Sequence, residues 1–199
     1  MVQHTISVST WFGFFLYIEH LGERALAISN ITRGASGLIW VVLMAFSSTC
    51  STLVSNIIGE GHQDKVMSLV RRILKLSYGI VGSIILIYCL FPEAIARIYT
   101  DMPDIVQASA PALIVMACSY LFHVGGQVLF LAVSGTGNTS AALYLESAVL
   151  VVYILFIMAM THLTARVELV WTAEILYGAL LGILCYLYLK FAKWSNKRI

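Results

Sequence analysis

Long runs of apolar residues, separated by short polar connectors, dominate the sequence. A transmembrane helix needs about 20 consecutive apolar residues, and six runs of this kind can be placed along the chain. The runs are continuous instead of alternating, so they do not fit membrane β-strands, and helices, which satisfy their own backbone hydrogen bonds, are predicted. The six predicted spans cover residues 4–20, 35–58, 75–92, 105–133, 140–162 and 169–190, with the second helix extending back towards Arg24.

Turn-forming residues mark the connectors. Phe91-Pro92 is predicted to end the third span, Asp104 to cap the fourth, and the sequence SGTGNTS at 134–140 to form a tight turn. Segment 62–76 places apolar residues at helical spacing opposite basic ones, which predicts an amphipathic helix on the membrane surface before the third span. No linker divides the chain, so residues 1–199 are predicted to form a single all-α bundle of six transmembrane helices.

The distribution of Lys and Arg predicts the orientation in the membrane, because cytoplasmic loops are enriched in these residues. One side of the membrane would carry eight of them and the other side four. Both termini are therefore predicted to be cytoplasmic, which requires an even number of spans. The eight are Lys65, Arg71, Arg72, Lys75, Lys190, Lys193, Lys197 and Arg198, and the four are Arg24, Arg33, Arg97 and Arg166.

Composition excludes several classes of protein. With 60% apolar and 11% charged residues and a mean hydropathy of +0.89, the chain does not fit a water-soluble enzyme. A net charge of +2 with scattered basic residues predicts no nucleic-acid partner.

The four cysteines lack both a C-x-x-C pair and metal-ligand spacing to a histidine, so no metal site or bound cofactor is predicted. The N-terminus lacks the basic region and cleavage site of a signal peptide and is interpreted as the first span.

Polar residues repeat with helical spacing in the fourth span. Tyr120, His123, Gln127 and Ser134 are separated by three, four and seven positions, which places them on one stripe that must face other helices or water. For Tyr120 and Ser134, hydrogen bonds that hold the bundle together are the favoured interpretation. For His123 and Gln127 a packing role and a functional role are equally supported, because ionisable residues inside membranes are expensive and histidine exchanges protons near neutral pH.

Three further polar residues are candidates for a cavity. Glu146 in the fifth span is either a proton or cation carrier or a side chain that reaches back to the interface. Asn56 ends the run 46–56, whose many hydroxyl groups are typical of tight packing or of hydrogen bonds to the helix backbone. Charged residues at the borders of spans are Glu19, Arg33 and Glu174, of which Glu19 is kept as a cavity candidate.

Several segments also resemble a known family. They are LGERALAISNITR (21–33), LVSNIIGEGHQDKVMSLVRR (53–72), LAVSGTGNTSAAL (131–143), VWTAEILYG (170–178) and KFAKWSNKRI (190–199). Together they resemble the C-terminal half of a transporter of the multidrug and toxic compound extrusion (MATE) family. The resemblance covers nearly the whole chain.

This resemblance implies a fold and a function. It implies twelve helices in two lobes related as parallel repeats, around a central cavity with alternating access. The chain would supply one lobe, with membrane lipids, a small organic substrate and either a missing N-terminal lobe in cis or a second copy in trans as partners. It would export amphipathic compounds across the cytoplasmic (inner) membrane in exchange for H+ or Na+. The candidate cavity residues are His123, Gln127, Tyr120, Glu146, Glu19 and Asn56.

The alternative functions are a flippase, a half-size scaffold and a protease. In the family that the chain resembles, several cation-coupled members carry a carboxylate at the position of His123, which counts against a simple sodium site. A lipid-linked oligosaccharide flippase of related fold should have a basic cavity, yet the spans contain almost no Lys or Arg. A half-size scaffold that dimerises stays open. A rhomboid-like protease needs a G-x-S-G serine and a histidine on its last span, and neither requirement is met around Ser134 or in 169–190.

Overall fold

The computed structural model describes residues 12–163 and 166–191, and the regular elements in these ranges are all helical. The helices are long where the apolar runs are long, because a helix pairs each backbone N–H and C=O within its own segment. A 3-10 turn, Gln63–Lys65, precedes the third helix. The helices are α1 (12–19), α2 (Glu23–Gly59), α3 (Val66–Leu90), α4 (Pro92–Ala96), α5 (Pro103–Gly135), α6 (Thr139–Leu163), α7 (Val167–Val170) and α8 (Ala173–Phe191).

Five helical segments of the described residues are long and apolar enough to cross a membrane. They confirm the second to sixth predicted spans. The first predicted span, 4–20, lies partly outside the described residues, and its second half forms α1. The total of six spans therefore stays a prediction. The five segments are Glu23–Gly59, Gln63–Leu90, Pro103–Gly135, Thr139–Met160 and Val167–Phe191.

Residues 66–76 of the predicted amphipathic helix form the first turns of α3, which continues without a break into the third span. Val66, Val70 and Ile73 on its apolar face are buried against the bundle, and its position at the membrane surface stays a prediction. The cap predicted for α5 is corrected. Met102 occupies the cap position, and Asp104 lies in the first turn, where its carboxylate is 3.8 Å from the guanidinium of Arg24. The predicted end of α3 at Phe91 is confirmed.

Helix α5 is the central element of the bundle. It packs against α2, α3 and α8, and α6 packs mainly on α8. Helices α2 and α5 run in the same direction, since Arg24 pairs with Asp104 near their beginnings and the Ser55 hydroxyl donates to the Gly135 carbonyl near their ends. Helix α8 shares this direction, and α3 and α6 run opposite to it. The arrangement brings the basic start of α3 and Lys190 to the same end of the bundle, as the charge distribution predicted.

Glycines let neighbouring helices approach each other closely at two places. A Cβ atom on Gly178 of α8 would lie 2.8 Å from the backbone nitrogen of His123, and one on Gly126 of α5 would lie 2.8 Å from the Gly178 carbonyl oxygen. At the other contact, a Cβ atom on Gly135 would lie 2.5 Å from the Ser51 carbonyl oxygen of α2. Side chains at these positions would push the helices apart.

Candidate functional site

The stripe predicted on the fourth span is buried inside the bundle. Tyr120, His123 and Gln127 on α5 are 7%, 6% and 8% exposed, and Ser134 is half-buried. The side chains face helices, because α5 is surrounded by α2, α3 and α8. The structure therefore places the three site candidates of this span together, on consecutive turns of one helix.

The partner of His123 is Glu174. The imidazole Nε2 lies 3.0 Å from Oε2 of the Glu174 carboxyl group, and the other oxygen, Oε1, accepts a hydrogen bond of 2.5 Å from the Tyr153 hydroxyl. Both oxygens of one buried carboxyl group are thus held, one from α5 and one from α6. A buried carboxylate needs such partners, because transfer of a charge out of water is unfavourable unless it is hydrogen-bonded or paired.

Glu174 is the residue of this site that the sequence candidates did not include. The sequence showed it only as a charge at the border of the last span, and its partner lies 51 positions earlier in the chain. One signal pointed towards it: His123 required a polar partner on another helix, and few acidic residues lie inside the spans. The close contact of Gly126 with Gly178 sets the approach of α5 and α8 that lets the two side chains meet.

A second carboxyl group lies next to this pair. The Tyr177 hydroxyl donates to Oε1 of Glu146 at 3.5 Å, and Glu146 is 5% exposed. The Tyr177 ring is 5.6 Å from the His123 ring and 5.7 Å from the Tyr153 ring. We refer to these residues together as the ionisable cluster. It consists of Tyr120, His123, Glu146, Tyr153, Glu174 and Tyr177, from α5, α6 and α8.

The ionisable cluster also contacts α2. The Tyr120 hydroxyl donates to the Ser36 carbonyl at 3.3 Å, and its ring lies 5.4 Å from that of His123. One residue earlier on α2, the Ala35 carbonyl accepts a hydrogen bond of 2.7 Å from the Tyr88 hydroxyl of α3. The cluster is therefore connected to the long second helix through the Ser36 carbonyl group, next to the contact between α2 and α3.

One polar atom of the cluster lacks a hydrogen bond within the described part of the chain. It is Nδ1 of His123, which is fully buried. If Nε2 donates to Glu174, the neutral ring leaves Nδ1 as an acceptor, and an unsatisfied acceptor is better tolerated than an unsatisfied N–H.

Three predicted site residues do not belong to the cluster. Gln127 is buried one turn further along α5, and the other two are exposed elsewhere. Asn56 is exposed on α2, 20 residues beyond Ser36, which corresponds to about 30 Å along the helix. Glu19 is exposed at the end of α1. The described residues also contain no group of three or more His, Cys, Asp or Glu side chains that could hold a metal ion, and the four cysteines are free thiols.

Comparisons with known proteins identify the family. The MatE family model matches residues 3–161, which is most of the chain. The chain belongs to the MATE family. The curated protein described as probable multidrug resistance protein NorM of Thermotoga maritima is 29% identical over 120 residues, which cover 59% of this chain and 25% of that relative. No solved structure matches the chain significantly.

Membership of the MATE family confirms several predictions made from the sequence. The chain is a multi-pass membrane protein of a transporter family, and it is not an enzyme. The identification of the family from segments such as 131–143 is also confirmed. The assignment to the C-terminal lobe and the roles of the six candidate residues stay predictions.

Proposed function

We propose that the chain is the C-terminal lobe of a cation-coupled antiporter that exports amphipathic organic compounds across the cytoplasmic membrane. Family membership supports transport, and the name of the Thermotoga relative supports multidrug efflux. The ionisable cluster is the observation that carries the proposal, because two buried carboxyl groups and a buried imidazole give the lobe a place where a cation changes the charge of the interior.

A cation can drive export only if it binds the two conformations of the transporter with different affinity. The cluster meets this requirement in principle, since its members come from α5, α6 and α8 and any shift between these helices changes the distances among them. Gly34 and Gly37 of α2, close to the Ser36 carbonyl, are the proposed hinge. The proposed coupling ion is H+ or Na+.

Within the lobe, His123 and Gln127 are proposed to line the cavity and Glu146 to adjust its charge. Tyr120 would join the cavity wall to α2 through its hydrogen bond to Ser36. Glu19 and Asn56 stay candidates for its outer parts, because their exposed side chains are available to a second lobe. A second lobe, in cis or as another copy in trans, would complete the cavity, and both termini would lie in the cytoplasm.

A drug-efflux assay tests the proposal. Cells that lack their own exporters would carry the chain alone or joined to a preceding six-helix lobe of the family, and the accumulation of ethidium, an amphipathic cation, would be measured. The complete transporter should lower accumulation, and His123→Ala should abolish this effect. Tyr144→Phe, at a side chain that is 75% exposed, is the matched control and should export normally.

Two results would contradict the proposal. Unchanged export by His123→Ala would remove this residue from the mechanism, and failure of every complete arrangement to export ethidium or other amphipathic cations would remove the antiporter itself. Cross-linking in membranes adds a separate measurement. A specific homodimer would favour two copies around one cavity, whereas dependence on a preceding lobe would favour completion in cis.

A further inference from the structure

We propose that the exposed side of α3 near its beginning binds an anionic phospholipid through the phosphate of its headgroup. The residues concerned are Arg71, Arg72 and Lys75, and we call their three side chains the basic face. All three are exposed, whereas Val70 and Ile73, on the other side of the same turns, are buried. The inference does not depend on the proposed export of drugs.

The members of the basic face lie close together on one side of the helix. Residues three and four positions apart share a side of a helix, and Lys75 follows Arg72 and Arg71 at these two intervals. The exposed Ser68 precedes the two arginines at the same spacing, and its hydroxyl group can donate to an anion. Three positive charges and a hydroxyl group are therefore presented together to the surroundings of the bundle.

The charges of the basic face are not compensated within the described part of the chain. Helix α3 contains neither Asp nor Glu, and none of the three cations forms an ion pair with a described residue. Like charges three and four positions apart on a helix repel each other. An anion bound at this face relieves the repulsion, and this charge complementarity is the observation on which the proposal rests.

The basic face lies at the level where lipid phosphates are expected. From Leu76 to Leu90 the helix carries no charged residue, which corresponds to about 22 Å of its length. A hydrocarbon core is about 30 Å thick, and the long stems of Arg and Lys can cover part of the remaining distance while their charges stay in the polar layer. The three cations thus stand at the border between hydrocarbon and water, where the headgroups begin.

The same side of α3 offers room for an acyl chain. Gly79, Gly82 and Ser83 continue the basic face by one and two turns, and no atom lies within 4 Å of a Cβ position on either glycine. Leu86, which is 59% exposed, follows one turn later. The distance from Lys75 to Leu86 is about 16 Å along the helix, about half of the hydrocarbon core, so one lipid of a single leaflet can lie along this side.

A phospholipid fits this surface better than the other possible occupants. Free phosphate would contact the cations but would leave the apolar side of the helix beyond Lys75 uncovered. A second protein lobe would bury three unpaired charges, which is unfavourable unless it supplied matching acids. A phospholipid satisfies both parts, because its phosphate and its acyl chains are joined in the same order as the charges and the apolar residues of α3.

Lipid binding to the purified chain tests the proposal. The 199-residue protein in a neutral detergent would be titrated with anionic phosphatidylglycerol or with zwitterionic phosphatidylcholine, and the bound lipid would be counted by native mass spectrometry. Each Lys or Arg near an anionic lipid contributes about fivefold to binding, so phosphatidylglycerol should bind about 100-fold more tightly. Equal affinity for the two lipids would overturn the proposal.

Replacement of the cations tests whether the preference belongs to this face. The triple variant with Arg71→Gln, Arg72→Gln and Lys75→Gln should bind the two lipids with equal affinity. Lys75→Gln alone should bind phosphatidylglycerol about fivefold more weakly than the natural chain, and it provides the same test if the triple variant does not fold. A preference that persists unchanged in these variants would overturn the assignment to the basic face.

A control variant removes three exposed cations at other places. Arg24→Gln, Arg97→Gln and Lys190→Gln together lower the net charge by the same amount as the triple variant of the basic face. The control should keep the natural preference for phosphatidylglycerol. An equal loss of preference in both triple variants would show that only the net charge of the protein attracts the lipid, and would overturn the site.

Two further measurements distinguish the occupants of the face. Sodium phosphate that displaces phosphatidylglycerol at equal concentration, where sodium chloride does not, would identify free phosphate as the ligand. A preference that disappears when the chain is joined to a preceding six-helix lobe would identify an interface between lobes. Either result would overturn the lipid site, whereas a chain that binds the lipid but never exports a drug contradicts only the proposed function.

Discussion

The contact between α5 and α8 and the hydroxyl-rich part of α2 are both polar regions of a membrane protein, but they satisfy their polar groups differently. On α2, the hydroxyl groups of Ser47, Thr49 and Thr52 donate to the carbonyl group four residues earlier in the same helix. Across α5 and α8, His123 and Glu174 depend on each other. The hydrogen bonds of a polar residue in a membrane helix can therefore be made within its own helix or only with other helices of the folded protein.

Removal of Glu174 should have the largest effect on stability. In Glu174→Leu, both the imidazole of His123 and the hydroxyl of Tyr153 lose their buried partner, and we expect a loss of about 3 kcal/mol in the free energy of unfolding. Unfolding in mixed detergent micelles, followed by tryptophan fluorescence, measures this. Glu19→Leu, at an exposed side chain, should change the free energy little, and equal effects of the two substitutions would contradict the central role of Glu174.

A bulky side chain at the helix contact should have the next largest effect. Leucine at Gly178 would place Cβ 2.8 Å from the His123 backbone nitrogen, so α8 must move. We expect the free energy of unfolding to fall by about 2 kcal/mol. The same detergent titration applies. Gly79→Leu on α3 is the control, since no atom lies within 4 Å of its Cβ position. A Gly178→Leu protein with an unchanged free energy of unfolding would show that the close approach of α5 and α8 does not hold His123 and Glu174 together.

Removal of one hydroxyl group tests the second half of the Glu174 environment. Tyr153→Phe keeps the ring and its contact with Tyr177 but deletes the hydrogen bond to Oε1, and we expect a loss of about 1.5 kcal/mol, as for hydrogen bonds to charged groups. Thermal unfolding of the purified protein measures the change. Tyr144→Phe on the exposed face of the same helix should be neutral, and a neutral Tyr153→Phe would indicate that this hydrogen bond contributes nothing.

The smallest effects are expected on α2. Thr52→Val removes a hydroxyl group that bonds only to its own helix, so the free energy of unfolding should change by less than about 0.5 kcal/mol. Ser55→Ala deletes the bond to the Gly135 carbonyl of α5 and should lose about 0.6 kcal/mol, the average for bonds between membrane helices. A larger loss for Thr52→Val than for Ser55→Ala would reverse the comparison between local and tertiary hydrogen bonds.

Most of the fold could be predicted from the sequence, because the positions of the spans depend on local properties of the chain. Apolar runs and turn residues such as Phe91-Pro92 determine where helices begin and end, and five predicted spans are confirmed. The apolar face of segment 62–76 fits a membrane surface and a protein interface equally well. The burial of Val66 and Val70 against neighbouring helices depends on tertiary structure, so the pattern alone does not reveal it.

The site was predictable only on one helix. The spacing of Tyr120, His123 and Gln127 revealed a common stripe, since residues three and four apart share a face. Glu174 and Tyr153 could not be assigned to that stripe, because nothing local records which helices become neighbours. Asn56 is a cavity candidate because of its polarity, although the length of α2 places it about 30 Å from Ser36.

The order of the helices has a consequence for biogenesis. Helix α6 follows α5 after a short turn, yet it packs mainly on α8, which is synthesised last among the described helices. Tyr153 and Glu146 therefore meet Glu174 and Tyr177 only once residues 173–191 have left the ribosome and entered the bilayer. A translational pause before that point would leave α6 in the insertion machinery or against lipid, so the ionisable cluster forms only after α8 has been inserted.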